Sequence, residues 1–321
     1  MTEEANPGAP GSVLDSVVPY HRLPSGFLRM LDEPPDPPAI PQPSATLVLL
    51  RRSPERVGKS QQMEVLLLKR SPRSGFIPGA WVFPGGRVDE EDGDPGLLMH
   101  LDGLSPGRAR ERLRLGNARP DPTEDGNPDA QKPPPPWAYW VAAIRETFEE
   151  TGVLLRKSPD GAGPLVPKVK ELALEEGRED LISEARSRLL SGLGGFLPIL
   201  QELGIVLDAG SLEYSGHWLT PECEPRRYET LFFITEMHPE ARVTPHEKEM
   251  VDALWITPEQ ALARNLKGEF PLVFPTLVTL EELTPFPTPE EALSVLRGRP
   301  VPRRLPEPER AEGGVLFKLK E

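Results

Sequence analysis

Residues 137–155, WAYWVAAIRETFEETGVLL, run without a proline in a chain where 41 of 321 residues are proline. An average chain carries roughly 5% proline. Proline lacks an N–H and fixes φ, so it breaks helix interiors and central strands. Regular elements must therefore lie between its clusters, and this stretch reads as a helix. On a wheel of about 100° per residue with Glu146 at 0°, Glu149 falls near 300° and Glu150 near 40°. Ile144, Phe148 and Leu155 fall at about 160°, 200° and 180°. Three carboxylates thus share an arc of about 100° opposite the apolar stripe. Ala142 and Ala143 flank the arc and leave room for something to approach. Like charges so spaced cost a helix roughly 0.2–0.5 kcal/mol per pair. A solvated acidic face is the ordinary explanation; a divalent cation held by carboxylate oxygens is the sharper one.

The remaining elements arrange themselves around this helix. Residues 1–43 are dense in proline and read as a disordered or loosely docked arm. Apolar runs at 45–52 (ATLVLLRR) and 63–70 (MEVLLLKR) predict two strands. A loop with Gly75, Pro78 and Gly79 leads to a short strand at 80–83 and then Pro84-Gly85-Gly86. From about 93 to 136 the pattern is lost. A possible short helix, RARERLRL, precedes PDPTEDGNPDAQKPPPP, which forms no helix. A helical region at 168–203 breaks at 192–195. Strands follow at 213–219, 226–237 and 250–256. Thr257 and Pro258 mark the N-cap and first position of another helix, and the tail from about 270 mixes short helices with prolines.

The net charge is −13, with one cysteine, Cys223. An acidic balance argues against a nucleic-acid footprint. One cysteine excludes internal disulfides and multi-cysteine zinc sites. No apolar run reaches 18 residues, so no membrane span is expected. The acidic N-terminus lacks the apolar core of a signal peptide, and a cytoplasmic location is expected. Two motif matches fail on chemistry. GLSPG at 103–107 needs an N–H where Pro106 has none. SPERVGKS at 53–60 lacks the first glycine of a P-loop.

The glutamates gain a context upstream. Gly86 is followed at the sixth residue by Asp92, and later by RETFEETGV at 145–153. This resembles the signature of the Nudix hydrolase family: G, five residues, E, seven residues, then R-E-apolar-x-E-E-x-G-apolar. Gly86, Arg145, Glu146, Glu149, Glu150, Gly152 and Val153 match. Asp92 stands in the first glutamate slot and Thr147 in the apolar slot. Fifty-two residues separate Asp92 from Arg145 instead of seven, so an insertion splits the signature. A branch similar to the acyl-coenzyme A diphosphatases carries such an insertion, together with the leader VFPGG. The likeness extends over about residues 44–285, which leaves 286–321 as a C-terminal extension. Coenzyme A-directed members also carry an upstream leader. Leu66, Leu67, Arg70, Ser71, Gly79, Phe83, Pro84, Gly85 and Gly86 fit it, whereas Leu68 replaces a threonine and Gly75 an arginine. Arg73 lies two residues before Gly75.

The resemblance implies an α/β fold, a Nudix-type α-β-α sandwich on a mixed sheet. It implies hydrolysis of a diphosphate with Mg²⁺ or Mn²⁺ as cofactor. Glu146, Glu149 and Glu150 would hold the metal with the Gly85 carbonyl. Arg145 would orient Glu149 or another carboxylate. Glu146, Glu149 and a loop glutamate would be catalytic, and PHEKEMVDALWIT offers Glu249, with Glu247 as the other choice. Arg70, Arg73, Phe83 and Arg226 would contact substrate; Arg227, Trp81 and Tyr228 are further candidates, with core packing the commoner role for the aromatics. The expected partners are a small-molecule diphosphate and a second copy of the chain in a homodimer. Coenzyme A or acyl-coenzyme A leads as substrate, followed by ADP-ribose, NADH and other nucleotides. A non-catalytic binding module is the reading from another class.

Overall fold

The computed structural model describes residues 17–23, 26–54, 61–74, 77–113, 133–157, 164–165 and 178–320. The first element, β1 (Val17–Pro19), leads to α1 (Phe27–Asp32), β2 (Gln42–Arg52) and β3 (Met63–Arg70). Two short strands, β4 (Trp81–Val82) and β5 (Gly85–Arg87), precede α2 (Pro106–Leu113) and α3 (Ala138–Thr151). A small ladder, β6 (Arg156–Lys157) and β7 (Pro164–Leu165), is followed by α4 (Arg178–Leu190) and α5 (Phe196–Leu203). Then come β8 (Glu213–Leu219), β9 (Tyr228–Glu236), β10 (Met250–Ile256) and helices α6 (Pro258–Leu266), α7 (Phe274–Leu283) and α8 (Pro289–Leu296). The chain closes on a hairpin, β11 (Arg303–Ala311) and β12 (Gly314–Lys320).

The large sheet runs β1-β12-β11-β8-β9-β2-β3-β10, with β5 also on β2 and β4 on β3. Its center is mixed: β2 lies parallel to β9 and antiparallel to β3. The unbroken apolar reading of β2 and β3 follows from burial on both faces. Ala45, Leu47, Leu49, Leu66 and Leu68 pack in the core that holds α3. Val48, Leu50, Val65 and Leu67 pack in the core that holds Ala261, Val278, Leu280 and Ala292 of the C-terminal helices. The sheet therefore sits between helical layers, an α-β-α sandwich as the resemblance implied. Among the described residues no helix is long and apolar enough to cross a membrane.

The structure differs from the sequence reading in particular places. The tail from about 270 holds short helices as expected, α7 and α8, but it also closes on a hairpin that the sequence reading did not include. Pro306 and Pro308 lie within β11 because β8 pairs that strand only at Arg303 and Arg304. Among the described residues no strand pairs that edge of β11 beyond Arg304, and alternate prolines turn their missing N–H groups to it. The described part of the N-terminal arm is docked: Val17, Val18 and Pro19 pair with Leu316, Val315 and Gly314. Phe27 packs beside Phe317 at 5.8 Å. Residues 1–16, Gly75, most of the proline-rich insertion (114–132) and 168–177 lie outside the described residues. The helix read over 137–155 ends at Thr151, with Gly152 as its left-handed C-cap at φ 75°. Thr257 caps α6, its side chain accepting from the Gln260 N–H.

Candidate metal centre

Pairing of β5 with β2 brings Gly85 opposite Thr46 and Gly86 opposite Ala45. Gly85 adopts φ 155°, and a Cβ there would strike the Ala45 carbonyl and Thr46. A Cβ on Gly86 would strike the Glu146 carboxylate. The two glycines are therefore required by close approach of backbone to backbone and backbone to carboxylate. The Gly85 N–H donates to Glu150 Oε2 at 3.0 Å. The room flanking the glutamates is filled from within: Ala142 and Ala143 are fully buried, in one core with Ala45 of β2. The room these alanines leave is taken by the chain itself, since β2 packs in the same core.

Arg145 joins the two halves of the split signature. Its Nε and Nη2 donate to Asp92 Oδ1 and Oδ2 at 2.8 and 2.9 Å across 53 positions of chain. Nη2 also donates to the Arg87 carbonyl at 3.0 Å. Nη1 donates to Glu146 Oε1 at 3.0 Å and Glu149 Oε1 at 2.9 Å. The bidentate partner is thus Asp92, and Glu149 receives a single bond. Asp92 is 1% exposed, and a short 3-10 turn, Glu90–Gly93, holds it, with Asp92 accepting from the Asp89 N–H.

Negative charge dominates the centre. Burial pushes the Glu146 carboxyl up to about 7, with Arg145 opposing and Glu149 adding to the rise. Burial raises Glu150 well above the usual carboxylate range. The charges of Glu146 and Glu249 raise it further, while the Gly85 N–H and Arg70 oppose. Burial raises Asp92 as well, against the pull of Arg145. Desolvation on this scale disfavors the ionized forms unless a cation arrives.

The loop 244–249 comes to the same end of α3. The Thr244 N–H donates to the Thr151 carbonyl and the His246 N–H to the Glu150 carbonyl, at 2.8 and 2.9 Å. Glu249 is exposed, and its charge acts on Glu150. Its carbonyl accepts from the Ser71 N–H at 2.8 Å. Glu247 is exposed on the same loop. Arg70 is near enough to act on Glu150 and bonds Ser74 Oγ through Nη2 at 2.7 Å. Arg73 is exposed beside Ser71.

Two expected contacts are not brought there. Phe83 is buried and packs edge-on against Phe232 in the core beneath the C-terminal helices, as Trp81 stacks on Phe270. Arg226 is exposed beyond the start of β9. Tyr228 pairs with Gln42, whereas Gly85 pairs with Thr46, a separation of about 13 Å along the strand. Arg226 lies two residues farther out. Arg227 is buried and ties the arm, donating to the Ala39 carbonyl at 3.0 Å. His217 bonds Glu229 at 3.0 Å inside the sheet. A groove of about 320 Å³ lined by Arg108, Arg112, Tyr214 and Arg299 opens elsewhere, and none of the three glutamates lines it. One contact lacks any motif signal: Arg186 of α4 donates Nε and Nη2 to the Glu149 carbonyl at 3.0 and 2.7 Å.

The family model described as the NUDT19 Nudix domain matches residues 42–283. The acyl-coenzyme A diphosphatase NUDT19 of Gallus gallus is 34% identical over 254 residues, 74% of this chain and 65% of that protein. Its Homo sapiens namesake is 32% identical over 248 residues, 73% of this chain and 64% of that protein. The match thus spans just under two thirds of these relatives' own length. A crystal structure of a NUDIX hydrolase from Alicyclobacillus acidocaldarius is 28% identical, with a TM-score of 0.57, covering 82% of this chain and 99% of that one.

Proposed function

The chain belongs to the NUDT19 Nudix-domain family, and from that membership we propose that it is a divalent-cation-dependent hydrolase of diphosphate linkages, with coenzyme A or acyl-coenzyme A as substrate class. The observation that carries the reading is the Arg145–Asp92 closure across the insertion, on a helix that has Glu146 beside Gly86, Glu150 bonded to Gly85 and Glu149 bonded to the same arginine. The substrate class rests on the relatives named acyl-coenzyme A diphosphatase and on the leader residues from Leu66 to Gly86.

The residues fit a hard cation. Among the described residues, no three acidic, histidine or cysteine side chains already converge as a cage. Glu146 and Glu149 each give one oxygen to Arg145, and Glu150 gives one to Gly85. Each carboxylate keeps a second oxygen, and buried carboxylates outnumber the arginine among them. Glu146, Glu149, Glu150 and the Gly85 carbonyl would hold Mg²⁺ or Mn²⁺, which take oxygen ligands. When bound, the ion supplies charge neutralization on the diphosphate and lowers the pKa of a bound water.

The chain's own groups do the rest. Arg145 fixes the direction of Glu146 and Glu149. Glu249, at the rim, accepts the proton of the attacking water at its carboxylate. Arg70 and Arg73 meet phosphate oxygens. Water adds across the P–O–P bridge and releases two phosphate monoesters. A cytoplasmic location and a homodimer belong to the same reading; light scattering tests the second.

A panel of coenzyme A, acyl-coenzyme A, ADP-ribose and NADH with Mg²⁺ or Mn²⁺ tests it. The coenzyme A compounds turn over, and Glu149→Gln and Glu150→Gln lower the rate about 100-fold or more. Equal rates in wild type and both variants overturn the hydrolase reading. Turnover of ADP-ribose with coenzyme A untouched overturns the substrate class alone.

A further inference from the structure

The last turn of a helix leaves its carbonyls without intrahelical partners. On α3 this turn carries Glu149 and Glu150, and each of three successive carbonyls is taken by a group from elsewhere. Thr151 accepts from the Thr244 N–H, Glu150 from the His246 N–H, and Glu149 from Arg186. Two of these donors are backbone. Arg186 is the side-chain donor, and it sits on α4, outside the Nudix signature.

Arg186 grips the Glu149 carbonyl with two donors at 3.0 and 2.7 Å. A guanidinium bound through two N–H groups fixes direction as well as distance. Its positive charge also meets the negative end of the α3 dipole. The end of the signature is shaped to admit it. Gly152 turns at φ 75°, and a Cβ there would lie 3.2 Å from Arg186 Nη1. The signature's final glycine therefore serves two needs: a left-handed turn and space for the arginine.

We propose that Arg186 is a positioning residue for the metal centre, holding the last turn of α3 so that Glu149 and Glu150 present their carboxylates to the cation. It rests on the proposed hydrolase reading. Arg186 touches the backbone of a ligand residue and acts through it.

The test compares wild type with Arg186→Ala, Arg186→Lys and Glu150→Gln in hydrolysis of acyl-coenzyme A across a Mg²⁺ titration. Arg186→Ala lowers kcat about tenfold or more with KM for the substrate little changed, because small misplacements of reacting groups are costly. It also raises the Mg²⁺ concentration at half-maximal rate severalfold. Arg186→Lys, which keeps one charged donor, recovers part of both. Circular dichroism shows α3 and the sheet retained, and Mn²⁺ titration followed by electron paramagnetic resonance reads the same loss of affinity without turnover. Arg186→Ala with wild-type kcat and wild-type Mg²⁺ dependence overturns the proposal while a dead Glu150→Gln leaves the hydrolase reading standing. Equal activity in wild type and Glu150→Gln removes the hydrolase reading itself.

Discussion

Arg145 makes the residue-scale case. It is 7% exposed and donates to Asp92, Glu146, Glu149 and the Arg87 carbonyl. Burial opposes its charge, yet the bond to Asp92 and the charge of Glu146 raise its pKa. Removing one member of such a buried set leaves the others uncompensated, a cost of about 3–5 kcal/mol. Arg145→Gln is therefore expected to lower the unfolding free energy read from urea denaturation by that amount and to abolish hydrolysis. Arg145→Lys keeps the charge but loses the fork that grips Asp92, so intermediate stability is expected. Gly86→Ala places a methyl group where the Glu146 carboxylate stands. Overpacking there costs about 1–3 kcal/mol, and a thermal melt with a Mg²⁺ titration should show lower stability and weaker cation dependence together.

At the scale of elements, α3 concentrates carboxylates in a poorly solvated place: Glu150 is buried, and Glu146 and Glu149 are partly buried. Glu146 is raised to about 7, and Glu150 and Asp92 are raised too. A carboxyl whose folded pKa lies above its unfolded value stabilizes the fold at low pH. That contribution is present below the unfolded carboxylate range and is lost as pH rises through the folded pKa. Without cation, the melting temperature should therefore fall between about pH 5 and pH 8, with Glu146 alone contributing on the order of 3 kcal/mol. Mg²⁺ should raise the melting temperature more at pH 8 than at pH 5, because it binds the ionized carboxylates. A metal-free protein that gains stability from pH 5 to pH 8 contradicts this. The wheel found the carboxylate arc from spacing alone, since helical periodicity is local. It gave no sign that Gly85 and Gly86 would fill the space beside it, because that contact depends on the pairing of β5 with β2. Arg186 was illegible for the same reason: REDLISEARSRLL carries no pattern that distinguishes one arginine, and only tertiary packing brings it to Glu149.

For the whole molecule, the large insertion leaves the signature's geometry closed, because Asp92 and Arg145 meet regardless of what lies between. The central strands and one amphipathic helix were legible in their apolar patterns, whereas the sandwich they build was implied by the resemblance that the signature carries. The hairpin β11–β12 was hidden by Pro306 and Pro308, which read as loop until the open strand edge is known. That hairpin and β1 extend the sheet past β8, and Phe317 packs on Phe27 and Phe274, at 5.8 and 5.1 Å. Phe317→Ala should cost about 3–5 kcal/mol by cavity formation. β12 lies four strands from β2 in the sheet order, about 19 Å at 4.8 Å per step. The specific rate of the folded variant and its Mg²⁺ dependence should stay at wild-type values.

The central claim is that the split signature folds back into one cation centre. Mn²⁺ binding followed by electron paramagnetic resonance, in wild type, Glu150→Gln and Asp92→Asn, tests it most directly. The account predicts binding in wild type, loss in Glu150→Gln, and about tenfold weaker binding in Asp92→Asn, whose side chain reaches the ligands through Arg145. Equal Mn²⁺ affinity in all three proteins would contradict it.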